Sequence, residues 1–364
     1  MLHFLLIIFC VSLFASCAEK KEQPIIVAEE TTSISLSSFG KEKLSEYNFF
    51  KGDLKNLEPN ENVVEYQLNS PLFSDYAFKK RFVSFPEGTH ANFSADDMLD
   101  FPEGTVIIKN FYYPADFRKP EANIRLMETR LLSLENGKWK ALPYIWNDEQ
   151  TEAYLEVAGK NMDVSWVHYD GKKRSLNYSV PNANQCKGCH MRGDKIMPIG
   201  PTARQLNGPL IGKYDNQLEH WVQHGWLKGM PDINVVDKLA NYADETASLN
   251  DRARAWLETN CAHCHRPDGP AKTSGLHLLA STKSSYELGI GKTPVAAGRG
   301  SGGLKFDIVP GKPHESILFY RINSDDPGIM MPELGRKLIH EEGVVLIKQW
   351  IQEMKTDEKL SANF

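Results

Sequence analysis

From residue 45 to about 180 the apolar residues come in short runs. They read "VVEYQL" (63–68), "KRFVSF" (80–85), "TVIIKNFYY" (105–113), "IRLMETRLLSL" (124–134) and "KWKALPYIW" (138–146). Enrichment in β-branched and aromatic residues over so few positions predicts strands. Asn136-Gly137 and Asp170-Gly171 each lie between such runs, where a hairpin needs residues that tolerate positive φ. "FPEGT" occurs at 85–89 and again at 101–105, each time as a turn leading into a strand. The expectation for this stretch is an antiparallel sandwich or barrel of roughly 130 residues.

Beyond 181 the spacing lengthens to that of helices. "NQLEHWVQHGWL" (216–227) and "VDKLANYAD" (236–244) are helix-like. "SLNDRARAWLETN" (248–260) starts with Ser248 and Asp251 at capping-box spacing and sets Leu249, Ala253, Trp256 and Leu257 on one face. "HEEGVVLIKQWIQEMK" (340–355) carries the stripe Val344, Ile347, Ile351, Met354, with acids in its first turn and a lysine at its end, as the helix dipole favours.

The amino terminus is a different material. "MLHFLLIIFCVSLFASC" is too short an apolar stretch to span a bilayer, which takes about 20 residues, and suits a signal segment. "FASC" resembles a bacterial lipobox, which makes Cys17 the expected lipidation site. Phe14 stands where that pattern prefers Leu or Val, and an ordinary cleaved signal is the alternative. Residues 18–40 are polar and read as a flexible tether. The expectation is an exported chain, lipid-anchored to the outer membrane and facing the periplasm. A net charge of −5 without a basic arm predicts no nucleic-acid partner.

Cysteine usage is the sharpest signal. Of six cysteines, Cys10 and Cys17 fall in the leader, and the rest form "CKGCH" (186–190) and "CAHCH" (261–265). Covalent haem attachment needs two thiols for the vinyl groups on one porphyrin edge and an imidazole for the iron on the same side. Histidine makes up 11 of 364 residues, so a given CxxC is followed by one by chance only about once in thirty. Zinc is the rival, but about 70 residues separate the pairs where roughly 15–20 is usual, and it leaves both histidines unused. Cys186, Cys189, Cys261 and Cys264 are therefore the expected attachment sites of two haem c groups, with His190 and His265 as proximal iron ligands.

Residues 248–354 resemble a class I cytochrome c domain: a helix running into "CAHCH", a long loop, "MMP", and a closing helix. That resemblance implies a methionine on the far face of the iron. Met331, directly before Pro332, takes that place, with Met330 as the alternative. After the first motif "GMPD" puts Met230 in the corresponding position, with Met197, His220 and His224 as alternatives. The chain as a whole resembles bacterial di-haem c-type cytochromes, often lipoproteins. The implied architecture is multidomain: an N-terminal antiparallel β-rich domain (41–180) followed by two mostly α-helical cytochrome c-like haem domains (181–245 and 246–364). The implied function is electron transfer with redox partner proteins of the cell envelope. A di-haem peroxidase or a cytochrome-linked dehydrogenase, with substrate held by the β-rich domain, is the alternative.

Overall fold

The computed structural model describes residues 39–355. The signal segment with Cys17, all but the last two residues of the tether, and the last nine residues of the chain lie outside this range.

The strand runs become β1 (Val63–Tyr66), β2 (Phe78–Ser84), β3 (Val106–Pro114), β4 (Ile124–Glu135), β5 (Lys138–Trp146) and β6 (Ala153–Leu155). They hydrogen-bond in chain order as one six-stranded antiparallel meander. Asn136 and Gly137 both take positive φ and close the β4–β5 hairpin, as the sequence signal required. A separate antiparallel hairpin follows, β7 (Lys160–Val167) with β8 (Lys173–Val180).

The two faces of the meander are covered differently. On one face Phe82, Ile108, Leu131 and Leu142 are buried under Leu44, Phe49, Phe50 and Leu57 from the preceding segment. The other face has two apolar ends. At one, Val83 and Ile107 pack with Leu206, Leu218 and Trp221 of α2 (Ala203–Leu206) and α3 (Gln217–Gln223). At the other, Phe111 and Ile145 pack with Val164, Trp166 and Tyr178 of the separate hairpin. Between these ends one cross-strand row reads Tyr66, Arg81, Lys109, Arg130, Pro143.

The outer edge at β1 is closed by side chains. The Tyr214 hydroxyl donates to the Glu65 carbonyl (3.2 Å), and the Gln217 amide exchanges two hydrogen bonds with the Gln67 backbone (2.7 and 3.0 Å). The Gln205 amide does the same for Ser70 (2.9 and 3.0 Å). At the opposite edge, the Leu155 N–H donates to the Glu42 carbonyl (2.9 Å).

The two long helices form where the apolar stripes predicted them, as α4 (Leu249–Cys261) and α6 (Glu341–Glu353). Ala253, Trp256 and Leu257 pack against Leu346, Ile347, Trp350 and Ile351. Ser248 accepts from the Asp251 N–H (3.1 Å) at the start of α4.

Two mostly helical haem domains do not form. Among the described residues strand outweighs helix, 26% to 22%. Residues 181–245 hold α1 (Ala183–His190), α2 and α3, only eight, four and seven residues long. "VDKLANYAD" is not a helix: the Leu239 N–H donates to the Arg204 carbonyl, and the Val236 carbonyl accepts from Asn207. Backbone groups committed to distant segments cannot close a helical turn. Between α4 and α6 the α-helical residues are the six of α5 (Ile317–Ile322). The β-rich part is likewise an open meander with an added hairpin, not a sandwich or closed barrel. The described residues group as one compact unit, with the helical segments of 203–223 packed onto the sheet.

Candidate functional site

The first motif is itself a helix. β8 runs into Pro181 and Asn182, whose side chain accepts from the Gln185 N–H (2.8 Å), while the Gln185 side chain accepts from the Asn182 N–H (2.9 Å). This reciprocal cap starts α1 directly before Cys186. After His190 the chain makes a tight hairpin, Met191–Arg192 against Lys195–Ile196. The hairpin returns the Met197 carbonyl to His190 Nδ1 at 2.8 Å. A carbonyl only accepts, so Nδ1 carries the proton and Nε2 keeps its lone pair. Burial pushes the His190 imidazole down to about 4, against the opposing effect of the Met197 bond.

The second motif begins on the last residue of α4 and completes a turn beyond it, with the Cys264 and His265 N–H groups donating to the Cys261 carbonyl (3.1 and 2.9 Å). His265 Nδ1 lies 3.0 Å from Ser274 Oγ, whose own hydroxyl donates to the Ala271 carbonyl (2.7 Å). Ser274 is therefore the acceptor, and here too Nε2 is left free. Burial again pushes the imidazole down to about 4. Ser274 carried no signal in the sequence beyond its place in the loop after the motif.

The two motifs meet. Cys264 Sγ stands 3.7 Å from the Gly188 carbonyl of the first motif. The proximity of Cys264 holds the Cys189 thiol well below its usual range, and Cys189 in turn raises the Cys264 thiol. The nearby His263 also lowers the Cys189 thiol. His263 is only 9% exposed and lies beside the first motif. A Cβ on Gly188 would lie 2.7 Å from Leu334 Cδ1, the far end of an exposed side chain. Arg192, just past the first motif, pairs with Asp97 (2.6 Å) and with Asp268 beyond the second (2.8 Å).

A cavity of about 430 Å³ opens beside this junction. Its lining includes Cys186, Cys189, His190, Met197, His263 and Met330. The cross-strand row of the sheet, with Arg81, Lys109 and Arg130, lines the same cavity. Burial pushes the Cys186 thiol up.

The methionines divide clearly. Met330 is buried and lines the cavity, whereas Met331 is half-buried and is not among the lining residues. Met230 packs with the cluster containing Leu218 and Trp221, away from the cavity wall. His220 and His224 stand in a surface aromatic stack between Tyr214 and Trp226, with successive ring centroids 3.8, 4.0 and 5.0 Å apart. Among the described residues no group of three or more His, Cys, Asp or Glu stands in an arrangement to hold a metal ion, so the four motif cysteines do not gather into a tetrahedral site.

The three sheet cations escaped the reading of the sequence, although a signal was there. "KKRFV", "IIKNF" and "METRL" each put a basic residue on the strand face that also carries buried apolar residues. Comparison with protein-family models, with curated proteins and with solved structures finds no match to this chain.

Proposed function

We propose that the chain is a di-haem c-type cytochrome, an exported, lipid-anchored electron carrier of the cell envelope. The observation that carries this reading is the matched state of the two histidines. Each follows a CxxC, each donates from Nδ1 to a local acceptor, and each keeps Nε2 free. Histidines that serve only packing have no need of a common tautomer.

The residues fit a covalently held porphyrin. Cys186, Cys189 and His190 line a cavity whose lining also includes an unsatisfied guanidinium, on Arg81. Cys186 and Cys189 would hold one haem and Cys261 and Cys264 the other, with His190 and His265 on the irons. Met330, the buried member of its pair, is the favoured sulfur donor for the second iron. A haem so bound supplies one-electron chemistry at a potential set by axial ligand, burial and hydrogen bonding. The protein's part is to fix both imidazoles, exclude water with the surrounding clusters, and hold the two motifs in contact.

Mature protein made in a host that attaches c-type haem is the test, read by intact mass, reduced optical spectrum and metal content. Two covalent haems and two irons per chain are expected. Zinc without haem from such a host overturns the reading.

A further inference from the structure

Arg81 is 5% exposed, yet it has no ion-pair partner among the described residues, and its buried Nη2 donates to nothing. A guanidinium buried without an acceptor is destabilising and calls for an anion. Its cross-strand neighbour Lys109 has no carboxylate in hydrogen-bond contact and lies 4.8 Å from the centre of the Phe111 ring. The third cation in the row, Arg130, is held by the fully buried Glu128 through two bonds of 2.6 and 2.7 Å, so its charge is spent. The row thus offers two basic groups without a carboxylate partner among the described residues, side by side on neighbouring strands and lining the cavity that carries the first motif. Burial and mutual repulsion push the ammonium groups of Lys109 and of Lys79, two residues along from Arg81, well below the usual lysine range. Carboxylates arriving here would restore that charge.

We infer that Arg81 and Lys109 form a carboxylate cradle, and that it receives the two propionates of the porphyrin attached at Cys186 and Cys189. This rests on the di-haem reading, and it gives the sheet a role in that site: the motif supplies the thioether edge and the sheet supplies the anion-binding edge. The flanking rows agree with that division. Val83, Ile107 and Leu132 on one side and Phe111 and Ile145 on the other lie on the same sheet face, so Arg81 and Lys109 are flanked by apolar residues along the strands.

Holoprotein with Arg81→Gln, and separately with Lys109→Gln, tests the cradle by resonance Raman and redox titration, with intact mass on every sample. The expected result is two haems retained, a shifted propionate bending vibration and a lower midpoint potential for one haem, since a positive charge beside the iron has been removed. Should Arg81→Gln fail to fold, Lys109→Gln carries the same expectation. Two haems with unchanged vibration and potential in the variants overturn the cradle and leave the di-haem reading standing. Saturable succinate binding by wild-type holoprotein, abolished by Arg81→Gln while propionate vibrations stay fixed, overturns the propionate assignment in favour of a free dicarboxylate. A wild-type chain carrying no haem overturns the di-haem reading, and the inference falls with it.

Discussion

"CKGCH" and "CAHCH" are nearly the same five residues, yet they are held by unlike scaffolds. The second ends a thirteen-residue helix clamped by another of equal length. The first occupies an eight-residue helix started by its own capping box and set against a β-sheet. What they share is the local turn and the Nδ1 acceptor, Met197 carbonyl in one and Ser274 hydroxyl in the other. Local chemistry is therefore written within about ten residues of each motif, while the surroundings that exclude water come from whatever part of the chain lies opposite.

On the di-haem proposal, the largest effect is expected at the far face of the second iron. In the reduced holoprotein Met330→Ala is expected to open one haem to carbon monoxide, seen as a new Soret band, while Met331→Ala leaves ligand access unchanged. The reverse pattern would return the role to Met331.

Two glycines set the scaffolds against each other next. In α6 a Cβ on Gly343 would overlap the Trp256 ring and crowd His340 Nδ1. Gly343→Ala should destabilise the fold by about 1–3 kcal/mol or more, since a buried tryptophan has nowhere to go. Gly188→Ala meets only the end of the Leu334 side chain, itself on an exposed residue that can swing away. The helical gain of alanine over glycine, about 1 kcal/mol, should offset the crowding and leave stability nearly unchanged. Thermal or denaturant unfolding of the two variants decides it, and equal losses would erase the contrast.

Acid should also find the helix pair. Burial, helped by Lys79 and Arg336, pushes the His340 imidazole down to about 3. The neutral ring accepts the Trp256 Nε1–H at 2.9 Å and stacks on Phe73 at 4.3 Å. Its 3.6 Å approach to Glu342 is accordingly not an ion pair at neutral pH. A histidine whose folded value lies below its ordinary 6.5 contributes stability that is whole above pH 6.5 and is lost as pH falls toward about 3. His340→Gln, which keeps an acceptor for Trp256 but cannot titrate, should flatten the decline over that window. An unchanged pH profile would remove His340 from the account.

How far the sequence could be read follows the same division. The strands of the meander, the Asn136-Gly137 turn, α4 and α6 were all legible, because each rests on periodicity or turn chemistry within its own residues. What failed depended on distant partners. "VDKLANYAD" has helical composition but gives its backbone to Arg204 and Asn207. His263 looks like a surface residue until the other motif is packed over it. Met230 has the right local setting before a proline, but the surrounding cluster draws it away from the cavity. The pairing of Arg81 with Lys109 is a matter of register between β2 and β3, which neither strand specifies alone.

The side-chain amides of Gln205 and Gln217, with the Tyr214 hydroxyl, have a consequence for how other molecules can approach. An open sheet ordinarily offers its border as a template on which a foreign strand can zip. Here the border is already read out by groups that end after one or two bonds and cannot be extended. Any protein that docks along this border must therefore recognise it through side chains and shape. At high concentration the same fittings keep neighbouring copies from joining sheet to sheet along that border.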